Sequence, residues 1–456
     1  MPQGLLPGVC RGAPQQTDPR RDWGAHWARS LRYDSVRSEM RAARLLLVCA
    51  LLGCSRERSA PSPALDASLP GLAPAEAKPD PAHAIDTVVL ITVDALRADP
   101  SWTGYQVAKT PNLLRLAERS IVFTRTYSLA NLTTASLAGL LSSRYPSELS
   151  REGCIFGKYD LSSGLAPALR AANVETFAAH GHALFAGRAA PSAGFDQWKL
   201  VSGAGGRLQK EGAVVSGATA DLLIEYLAAE RPIERKVFAW AHFADQHDTY
   251  VPHAKFPPTS PGSRGLYDGE VAYTDAAIGR VLDAIERSES ASRTAIVVTS
   301  DHGEAFGEHG NVYHGTTLYE EEVRVPLIVH VPGEPHRVIQ TPRGAIDMAP
   351  TIAALLGVSP PPEWKGTSLL TDLRETATDR PIIIDLPAMS GRSAQKAVIR
   401  GSVKALFDAA GERVFDLRED PKELGPIDGP RAETAIRDAK QDLSRLQMVD
   451  AEPCVR

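Results

Sequence analysis

Short apolar runs and helical apolar repeats alternate along this chain from about residue 85 onward. Three runs of mainly β-branched or aliphatic residues have the composition of strands buried on both faces of a parallel sheet, at 87–93 (TVVLITV), 295–300 (AIVVTS) and 326–331. Shorter strands are predicted at 176–179 and 237–242. Apolar positions with helical spacing predict helices at 111–120, 134–142, 164–173, 215–229 and 268–289. This alternation predicts an α/β fold with a doubly wound, mostly parallel sheet and helices on both faces.

The pattern changes after about residue 375. The predicted elements there are short strands that end in turns, followed by a final helix, at 381–385, 396–399, 403–407 and 430–447. We therefore predict a main domain over residues 84–375 and a small C-terminal α+β subdomain over residues 376–456.

A targeting signal is predicted near the start of the chain. Residues 45–53 (LLLVCALLG) are apolar or small, Arg41 and Arg44 precede them, and Cys54 follows. The apolar run is too short to span a bilayer, and its basic flank is typical of a secretory signal. The ending Leu-Leu-Gly-Cys resembles a bacterial lipobox, in which the cysteine is acylated and becomes the first mature residue. The alternative is a buried core helix.

The stretch after Cys54 argues against the core helix. Residues 55–83 are dense in Pro, Ala, Ser and charged side chains, which predicts a flexible tether. Because the signal begins at Met40, residues 1–39 are interpreted as an upstream extension and residues 40–54 as the signal. We expect an extracytoplasmic bacterial lipoprotein, in the periplasm or on the cell surface, held to a membrane by lipid on Cys54.

The net charge and the number of cysteines exclude some classes of partner and of protein. The net charge of the 456 residues is −5, so no basic surface is predicted and nucleic acid is not an expected partner. Five cysteines are too few for a disulfide scaffold. Cys154 and Cys454 could nevertheless pair outside the cytoplasm.

Acidic and imidazole side chains follow two of the predicted buried strands. Asp94 comes directly after the TVVLITV strand, and Asp301 and His302 come directly after the AIVVTS strand. In an open α/β sheet, ligands bind outside the carboxyl ends of the strands, so these side chains are expected at one edge. Two carboxylates and an imidazole suit a divalent cation, although a single Asp after a strand is commonly a helix N-cap. Further histidines cluster in segments 240–248 and 307–314, each close behind a predicted strand.

Several segments resemble the sequence blocks of sulfatases, a branch of the alkaline-phosphatase superfamily. They are VVLITVDALRAD at 88–99, WAHFADQHDTYVPH at 240–253, YDGEVAYTDAAIG at 267–279, TSDHGEAFGEHG at 299–310, LYEEEVRVPLIV at 318–329 and FDLREDPKE at 415–423. The blocks occur in the usual order and cover roughly residues 84–425. The resemblance implies an alkaline-phosphatase-like fold and a metal-dependent hydrolase of sulfate or phosphate esters. It also implies an anionic ester substrate, which could be a sulfated or phosphorylated glycan, lipid or small molecule.

The chain departs from sulfatases at the nucleophile. Sulfatases carry Cys-x-Pro-x-Arg, and their cysteine is oxidised to formylglycine. Counting back from the matching Arg-Tyr-Pro at 144–146 places Thr133 at the cysteine position, with Ala135 and Leu137 at the proline and arginine positions. Formylglycine cannot form from threonine, but a metal-bound Thr hydroxyl is the nucleophile in phosphate-cleaving and phosphoethanolamine-transferring relatives. Thr133 is therefore the expected nucleophile, which favours phosphoester chemistry; the alternative is an ordinary N-cap of the helix at 134–142.

The metal block also departs from the family, because Ala95 stands where many sulfatases have a second Asp. The remaining ligand set mixes nitrogen and oxygen donors and consists of Asp94, Asp301, His302 and Thr133. Such a set favours Zn²⁺ or Mn²⁺, with Ca²⁺ as a further possibility.

Two histidines are expected beside the reacting ester. His314 stands where sulfatases have a Lys that contacts the anionic group of the substrate, and His247 matches their active-site His. With Asp245 nearby, these histidines could bind a second metal. They could instead bind the ester group and protonate the leaving oxygen.

Two other functions stay open. A phosphoethanolamine-type transferase would use a second alcohol in place of water, and a catalytically inactive surface lipoprotein would bind an anion without turnover. Other acidic residues are expected to have no catalytic role. Asp268, Glu270 and Asp275 are predicted on a solvated helix face, and Glu320, Glu321 and Glu322 at the surface or behind the ligands.

Overall fold

The structure, a computed structural model, describes residues 85–99, 107, 109–187, 190–201, 214–232, 234–247, 249–374 and 377–454. The upstream extension at 1–39, the signal at 40–54 with Cys54 and the tether at 55–83 lie outside the described residues. They stay predictions, as does the domain boundary at residue 375.

A mixed sheet forms the centre of the fold. The first strands of the chain are β1 (Thr87–Val93), β2 (Ile121–Tyr127), β3 (Glu175–His180), β4 (Gln197–Leu200), β5 (Val237–Phe243), β6 (Thr294–Ser300), β7 (Ala305–Phe306), β8 (Val312–Tyr313), β9 (Arg324–His330), β10 (Arg337–Ile339) and β11 (Arg343–Gly344). β7 and β8 pair with each other. The other strands follow the order β10-β2-β9-β6-β1-β5-β3-β4, with β11 also beside β2. Neighbours are parallel, except that β9 is antiparallel to β2 and β6.

Helices cover both faces of this sheet. In this part of the chain they are α1 (Pro111–Ala117), α2 (Thr133–Ser142), α3 (Leu165–Ala171), α4 (Ser216–Ala228), α5 (Ser263–Glu286), α6 (Glu320–Val323), α7 (Met348–Leu355) and α8 (Thr371–Arg374). Val88 and Leu90 of β1 lie in the apolar cluster formed with α2, α3 and α7. Val89 and Ile91 point to the opposite face and lie in the cluster formed with α1, α4 and α5. The predicted doubly wound, mostly parallel sheet with helices on both faces is confirmed.

Among the elements that differ from the sequence prediction, three show why. The strand predicted at 326–331 forms as β9 but runs antiparallel to its neighbours, a direction that an apolar run does not specify. β2 was not predicted, because its apolar first half is followed by the polar residues Thr124, Arg125 and Thr126. α7 was not predicted either, and it carries Pro350 in its first turn, where proline is tolerated in a helix.

A second, antiparallel sheet forms the C-terminal subdomain. Its strands are β12 (Ile382–Leu386), β13 (Gln395–Arg400), β14 (Val403–Asp408) and β15 (Gly411–Asp416), ordered as in the chain, and α9 (Pro430–Leu443) follows them. Ala432 and Ala439 of α9 pack in one apolar cluster with this sheet. Other side chains of the sheet share a cluster with Tyr127 and Leu132, beside Thr133. The predicted small α+β subdomain is confirmed, and it supports the backbone next to the expected nucleophile.

The acidic residues of α5 are buried, so the prediction of a solvated face is wrong. Asp268, Glu270 and Asp275 are each 1% exposed. The Asp275 carboxylate accepts hydrogen bonds from the backbone N–H groups of Asn112 and Leu113, at 3.1 and 2.9 Å, at the start of α1. Burial raises the pKa of Asp275 to about 6. The partners of this carboxylate are N–H groups in the first turn of another helix, where such groups have no acceptor within the helix. Nothing in the sequence of α5 indicates this contact.

A disulfide ties the C-terminal segment to the loop that follows α2. Cys154 and Cys454 are bonded across a sequence separation of 300. Beside the bond, Glu452 N donates to Arg151 O at 2.8 Å and Gly153 N donates to Glu452 O at 2.9 Å. The pairing that the sequence leaves open is therefore present in the fold.

Candidate active site and metal centre

The expected metal ligands lie together at the carboxyl ends of β1 and β6. These strands are parallel neighbours with Val93 opposite Ser300. Asp94 therefore leaves the sheet beside Asp301 and His302, and all three side chains are fully buried. The convergence that the sequence predicts at this edge is observed.

Two backbone features shape this edge. Ala95 has a positive φ of 54°, which turns the chain sharply after Asp94. Gly303 passes so close to the neighbouring backbone that a Cβ would lie 2.1 Å from the carbonyl oxygen of Glu321. Glycine is therefore required directly after His302 in the turn that follows β6.

Hydrogen bonds orient the Asp301 and His302 side chains. Asp301 Oδ1 accepts the backbone N–H groups of Ala95 at 3.2 Å and of His302 at 3.0 Å. His302 Nδ1 lies 2.9 Å from the carbonyl oxygen of Gly303, which can only accept. Nδ1 therefore carries the proton, and Nε2 presents a lone pair. This is the tautomer that a metal ligand needs.

The hydroxyl of Thr133 meets that lone pair. Thr133 is the first residue of α2, and its Oγ1 lies 3.1 Å from His302 Nε2. Leu132 occupies the N-cap position, and no side chain caps the helix. The N-cap alternative for Thr133 is therefore wrong.

The carboxylates leave two oxygens that a cation would satisfy. Asp94 Oδ1 and Asp301 Oδ2 are buried and have no hydrogen-bond partner among the described residues, which is a costly state for a carboxylate. They lie 3.6 and 3.4 Å from His302 Nε2. Donors about 2.0–2.2 Å from a tetrahedral metal are about 3.3–3.6 Å apart, which these distances match. Asp94, Asp301 and His302 are one of the groups in the described part of the chain that could hold a metal ion.

The two carboxylates have opposite pKa shifts. Burial and the charge of Asp94 raise the pKa of Asp301. Burial also opposes ionisation of Asp94, but the hydrogen bond from His242 and the nearby His247 and His182 hold the pKa of Asp94 well below its ordinary value. Two carboxylates this close repel each other when both are charged. A metal cation between them would remove that conflict.

Two histidines of the site were not predicted from the sequence. His242 on β5 has Nε2 at 3.2 Å from Asp94 Oδ2 and Nδ1 at 2.8 Å from Thr92 Oγ1. His182 follows β3, and its Nε2 lies 3.4 Å from Asp94 Oδ2. The available signal was the pair His180 and His182 at the end of a predicted strand. The proximity of His182 to Asp94 depends on the order β1-β5-β3 in the sheet, which local sequence does not contain.

Asp94, His182 and His247 form a second group that could hold a metal ion, but the tautomer of His182 argues against it. His182 Nδ1 accepts a hydrogen bond from Leu184 N at 3.1 Å. In the neutral ring, Nε2 therefore carries the proton. An N–H group donates to an anion and offers no lone pair to a metal. This geometry favours one metal, with His182 as a hydrogen-bond donor beside it.

His247 and His314 lie beside this centre, as the sequence predicts. The ring centroid of His314 is 4.2 Å from that of His302 and 5.0 Å from that of His247. Asp245 does not join them, because its two carboxylate oxygens accept backbone N–H groups at the start of α4, at 2.7 and 2.9 Å. The Asp245 carboxylate therefore anchors the backbone at the start of α4.

Comparison with known proteins identifies the family. Residues 86–358 match the family model described as Sulfatase. A choline-sulfatase from Rhizobium meliloti (strain 1021) is 30% identical over 201 residues, which cover 41% of this chain and 39% of that protein. The matched part thus spans well under two thirds of that relative. Because the family model matches more than half of the chain, the chain belongs to the sulfatase family.

Solved structures share this fold at low sequence identity. The phosphonate monoester hydrolase of Agrobacterium radiobacter has a TM-score of 0.65 at 18% identity, with 79% of this chain and 95% of that chain covered. A protein in complex with its substrate D-glucosamine-2-N, 6-O-disulfate has a TM-score of 0.63 at 16% identity, with 79% and 98% covered. The chain thus shares the fold of these structures, in agreement with its membership of the sulfatase family.

We predict that Zn²⁺ or Mn²⁺ raises the midpoint of thermal unfolding and that Asp301→Asn removes most of this effect. Metal at about 100 times its dissociation constant would stabilise the fold by about 2.7 kcal/mol. Differential scanning fluorimetry with and without metal measures the shift. Asp275→Asn is the matched control, since it changes a buried carboxylate outside the site and should keep the metal-induced shift. An equal shift in Asp301→Asn and wild type would contradict the ligand assignment.

Proposed function

We propose that this chain is a metal-dependent hydrolase of anionic esters with Thr133 as its nucleophile. The observation that carries the proposal is the 3.1 Å contact between Thr133 Oγ1 and His302 Nε2, beside two buried carboxylate oxygens without a hydrogen-bond partner among the described residues. Thr133 also stands at the start of α2, where free N–H groups and the helix dipole favour an anion.

Asp94, Asp301, His302 and Thr133 would hold one divalent metal. When bound, the metal supplies a Lewis acid that lowers the pKa of the hydroxyl and offsets charge on the transferred group. The mixed nitrogen and oxygen donors, with Ala95 in place of a further carboxylate, favour Zn²⁺ or Mn²⁺ over Ca²⁺.

The residues of the chain itself carry out the remaining steps. The Thr133 hydroxyl releases its proton to solvent, and its oxygen forms a bond to phosphorus or sulfur in line with the ester bond that breaks. The leaving oxygen keeps the electron pair of that bond. His182, His247 and His314 donate hydrogen bonds to the transferred group, and His247 or His314 supplies the proton to the leaving oxygen. Water then cleaves the Thr133 ester and gives a proton back to the histidine that donated one, while the released Thr133 oxygen takes up a proton from solvent to restore the hydroxyl.

A phosphoester is the favoured substrate. Formylglycine releases sulfate through its aldehyde hydrate, and a threonine ester has no such route. Leu137, which is 0% exposed, stands where the sulfatase motif has an Arg. The fold similarity to a phosphonate monoester hydrolase supports this choice. A phosphorylated glycan, lipid or small molecule fits the site best, and a sulfated one is the second candidate.

The observed geometry supports the two alternative functions less well. A phosphoethanolamine-type transferase would share every residue role and differ in the acceptor alcohol that replaces water. An inactive anion-binding protein would not need a hydroxyl aligned with the lone pair of His302 at 3.1 Å.

We predict that Thr133→Ala lowers kcat/KM by about 1,000-fold or more, because the residual activity of enzymes without their nucleophile comes from binding alone. Thr133→Ser keeps the hydroxyl and should retain turnover. The assay uses a phosphate monoester, a phosphodiester and an aryl sulfate, each with Zn²⁺, Mn²⁺ and Ca²⁺. Turnover by Thr133→Ala at the wild-type rate would rule out this nucleophile. No turnover of any of these esters by wild type would favour the inactive binder.

We further propose that lipid on Cys54 anchors the protein to a membrane that faces an extracytoplasmic space. The described residues contain no helix long and apolar enough to cross a membrane. The disulfide between Cys154 and Cys454 supports an oxidising compartment. Stable anchoring needs more than one acyl chain, as in bacterial lipoproteins.

We predict that Cys54→Ser abolishes labelling by a fatty-acid analogue and moves the protein from the membrane fraction to the soluble fraction. Cys10→Ser is the matched control, since it lies in the upstream extension and should label as wild type does. Mature protein that begins at Met1, found by mass spectrometry, would show that the signal interpretation is wrong.

A further inference from the structure

A buried glutamine connects two sides of the site, the strand end that carries Asp94 and the turn that carries His247. Gln246 is 0% exposed and directly precedes His247. Its side-chain NH2 group donates two hydrogen bonds to carbonyl oxygens, that of Asp94 and, at 3.0 Å, that of Phe243. Because both partners can only accept, both protons of the amide nitrogen are used. The side chain is therefore fixed with its NH2 group toward the sheet.

This amide takes the place of the next backbone hydrogen bond between β1 and β5. Asp94 N donates to Phe243 O at 2.8 Å, directly beyond the last paired residues of the two strands. A regular parallel ladder would continue with a backbone N–H group that donates to the Asp94 carbonyl. The chain instead turns away after β5, and the turn is closed by the hydrogen bond from His247 N to Ala244 O at 3.2 Å. Gln246 supplies a donor for the Asp94 carbonyl and so ties this turn to the end of β1.

The oxygen end of the Gln246 amide is held by a helix. Gln246 Oε1 accepts the hydroxyl of Thr274, a residue of α5 that is 1% exposed, at 3.0 Å. Since the proton of Thr274 goes to Gln246, the Ser216 hydroxyl at 3.1 Å donates to Thr274. Ser216 N, at the start of α4, donates to Asp245 Oδ2 at 2.9 Å. The turn that presents His247 is therefore held by the sheet on one side and by α4 and α5 on the other.

The fixed turn determines where the His247 ring lies. The centroid of this ring is 5.0 Å from that of His314, on the side of the site where the proposed function places the transferred group. A displacement of about 1 Å at such a group can cost about 100-fold in rate. Asp94, by contrast, follows a central strand and has its own hydrogen bond to His242. Loss of the Gln246 amide would therefore move the turn rather than the metal ligand.

We propose that Gln246 is a positioning residue that fixes the His247 ring relative to Asp94. This inference rests on the proposed Thr133 hydrolase, in which His247 donates a hydrogen bond to the transferred group. Both N–H groups of Gln246 are used by protein carbonyls, so the amide acts on the reaction only through His247. Thr274 supports this role, because its hydroxyl holds the amide oxygen.

A double-mutant cycle with His247→Ala tests this role. The assay uses whichever of the phosphate monoester, phosphodiester and aryl sulfate wild-type protein turns over fastest. Gln246→Met keeps the length of the side chain and removes the amide. We expect it to lower kcat about 100-fold in the wild-type background and less than about 5-fold in the His247→Ala background. Equal losses in the two backgrounds would overturn the proposal, since a general loss of structure lowers the rate by one factor in either.

The effect of metal on thermal unfolding separates this role from one at the metal site. The metal-induced rise of the unfolding midpoint should persist in Gln246→Met, because Asp94 keeps its hydrogen bond to His242. Loss of that rise would assign the effect of Gln246→Met to the metal ligand and overturn the role through His247.

Thr274 provides a second test that leaves Gln246 in place. Thr274→Val removes the hydroxyl that holds the amide and should lower kcat about 10-fold, whereas Thr274→Ser keeps a hydroxyl and should turn over within about 2-fold of wild type. Thr351→Val is the matched control, since Thr351 is also a helix residue with 1% exposure, and its hydroxyl donates to Asp347 O at 2.6 Å. It should lower stability and leave kcat unchanged. A fall in kcat as large as that of Thr274→Val would overturn the specific role.

Should Gln246→Met fail to fold, the Thr274 variants decide the question in the same cycle. Equal losses in Thr274→Val and Thr274→Ser, or a loss in Thr274→Val that is as large in the His247→Ala background as in wild type, would overturn the proposal. Turnover by wild type with these outcomes removes this inference alone. No turnover of any of the three esters by wild type removes the hydrolase proposal and this inference with it.

Discussion

Two buried carboxylates that follow adjacent strands at one edge of the sheet are the constraint on which the rest of the structure depends. Asp94 and Asp301 are fully buried at the ends of β1 and β6. Burying two like charges side by side is costly unless each is hydrogen-bonded or paired with a cation. One oxygen of each is satisfied, on Asp94 by His242 and on Asp301 by backbone N–H groups. The other oxygen of each lies near His302 Nε2, which defines the place for a metal.

Hydrogen bonds to the backbone give two of the histidines around this position different tautomers. His302 Nδ1 meets the carbonyl of Gly303, so its Nε2 presents a lone pair. His182 Nδ1 meets the N–H of Leu184, so its Nε2 presents a proton. Under the proposed function, a histidine would thus be a metal ligand on one side of the site, and another histidine would be a hydrogen-bond donor to an anion on the other side. In the proposed reaction, the metal would lie next to Thr133 and the anionic group of the substrate would face the donor histidines.

The parts of the site that follow directly from strands could be predicted from the sequence, whereas the parts that depend on long-range order could not. Asp94 and Asp301 follow unmistakably buried strands, and the rule for strand ends brings them together. His182 comes from β3, which reaches Asp94 through the strand order alone. Asp275 was misassigned because its partners are N–H groups at the start of a distant helix, and the partners of Asp245 are of the same kind. A carboxylate on a helix or after a strand carries no local mark of such a partner.

The central claim is that Thr133 itself carries the transferred group, and a covalent intermediate tests it most directly. Wild-type protein loaded with metal would be mixed with an activated phosphoester, quenched in acid within the first turnovers and digested for mass spectrometry. The account predicts a phosphoryl group on Thr133 in the peptide that contains it, formed and lost at rates that match turnover. Turnover without any labelled peptide, or with the phosphoryl group on another side chain, would contradict it.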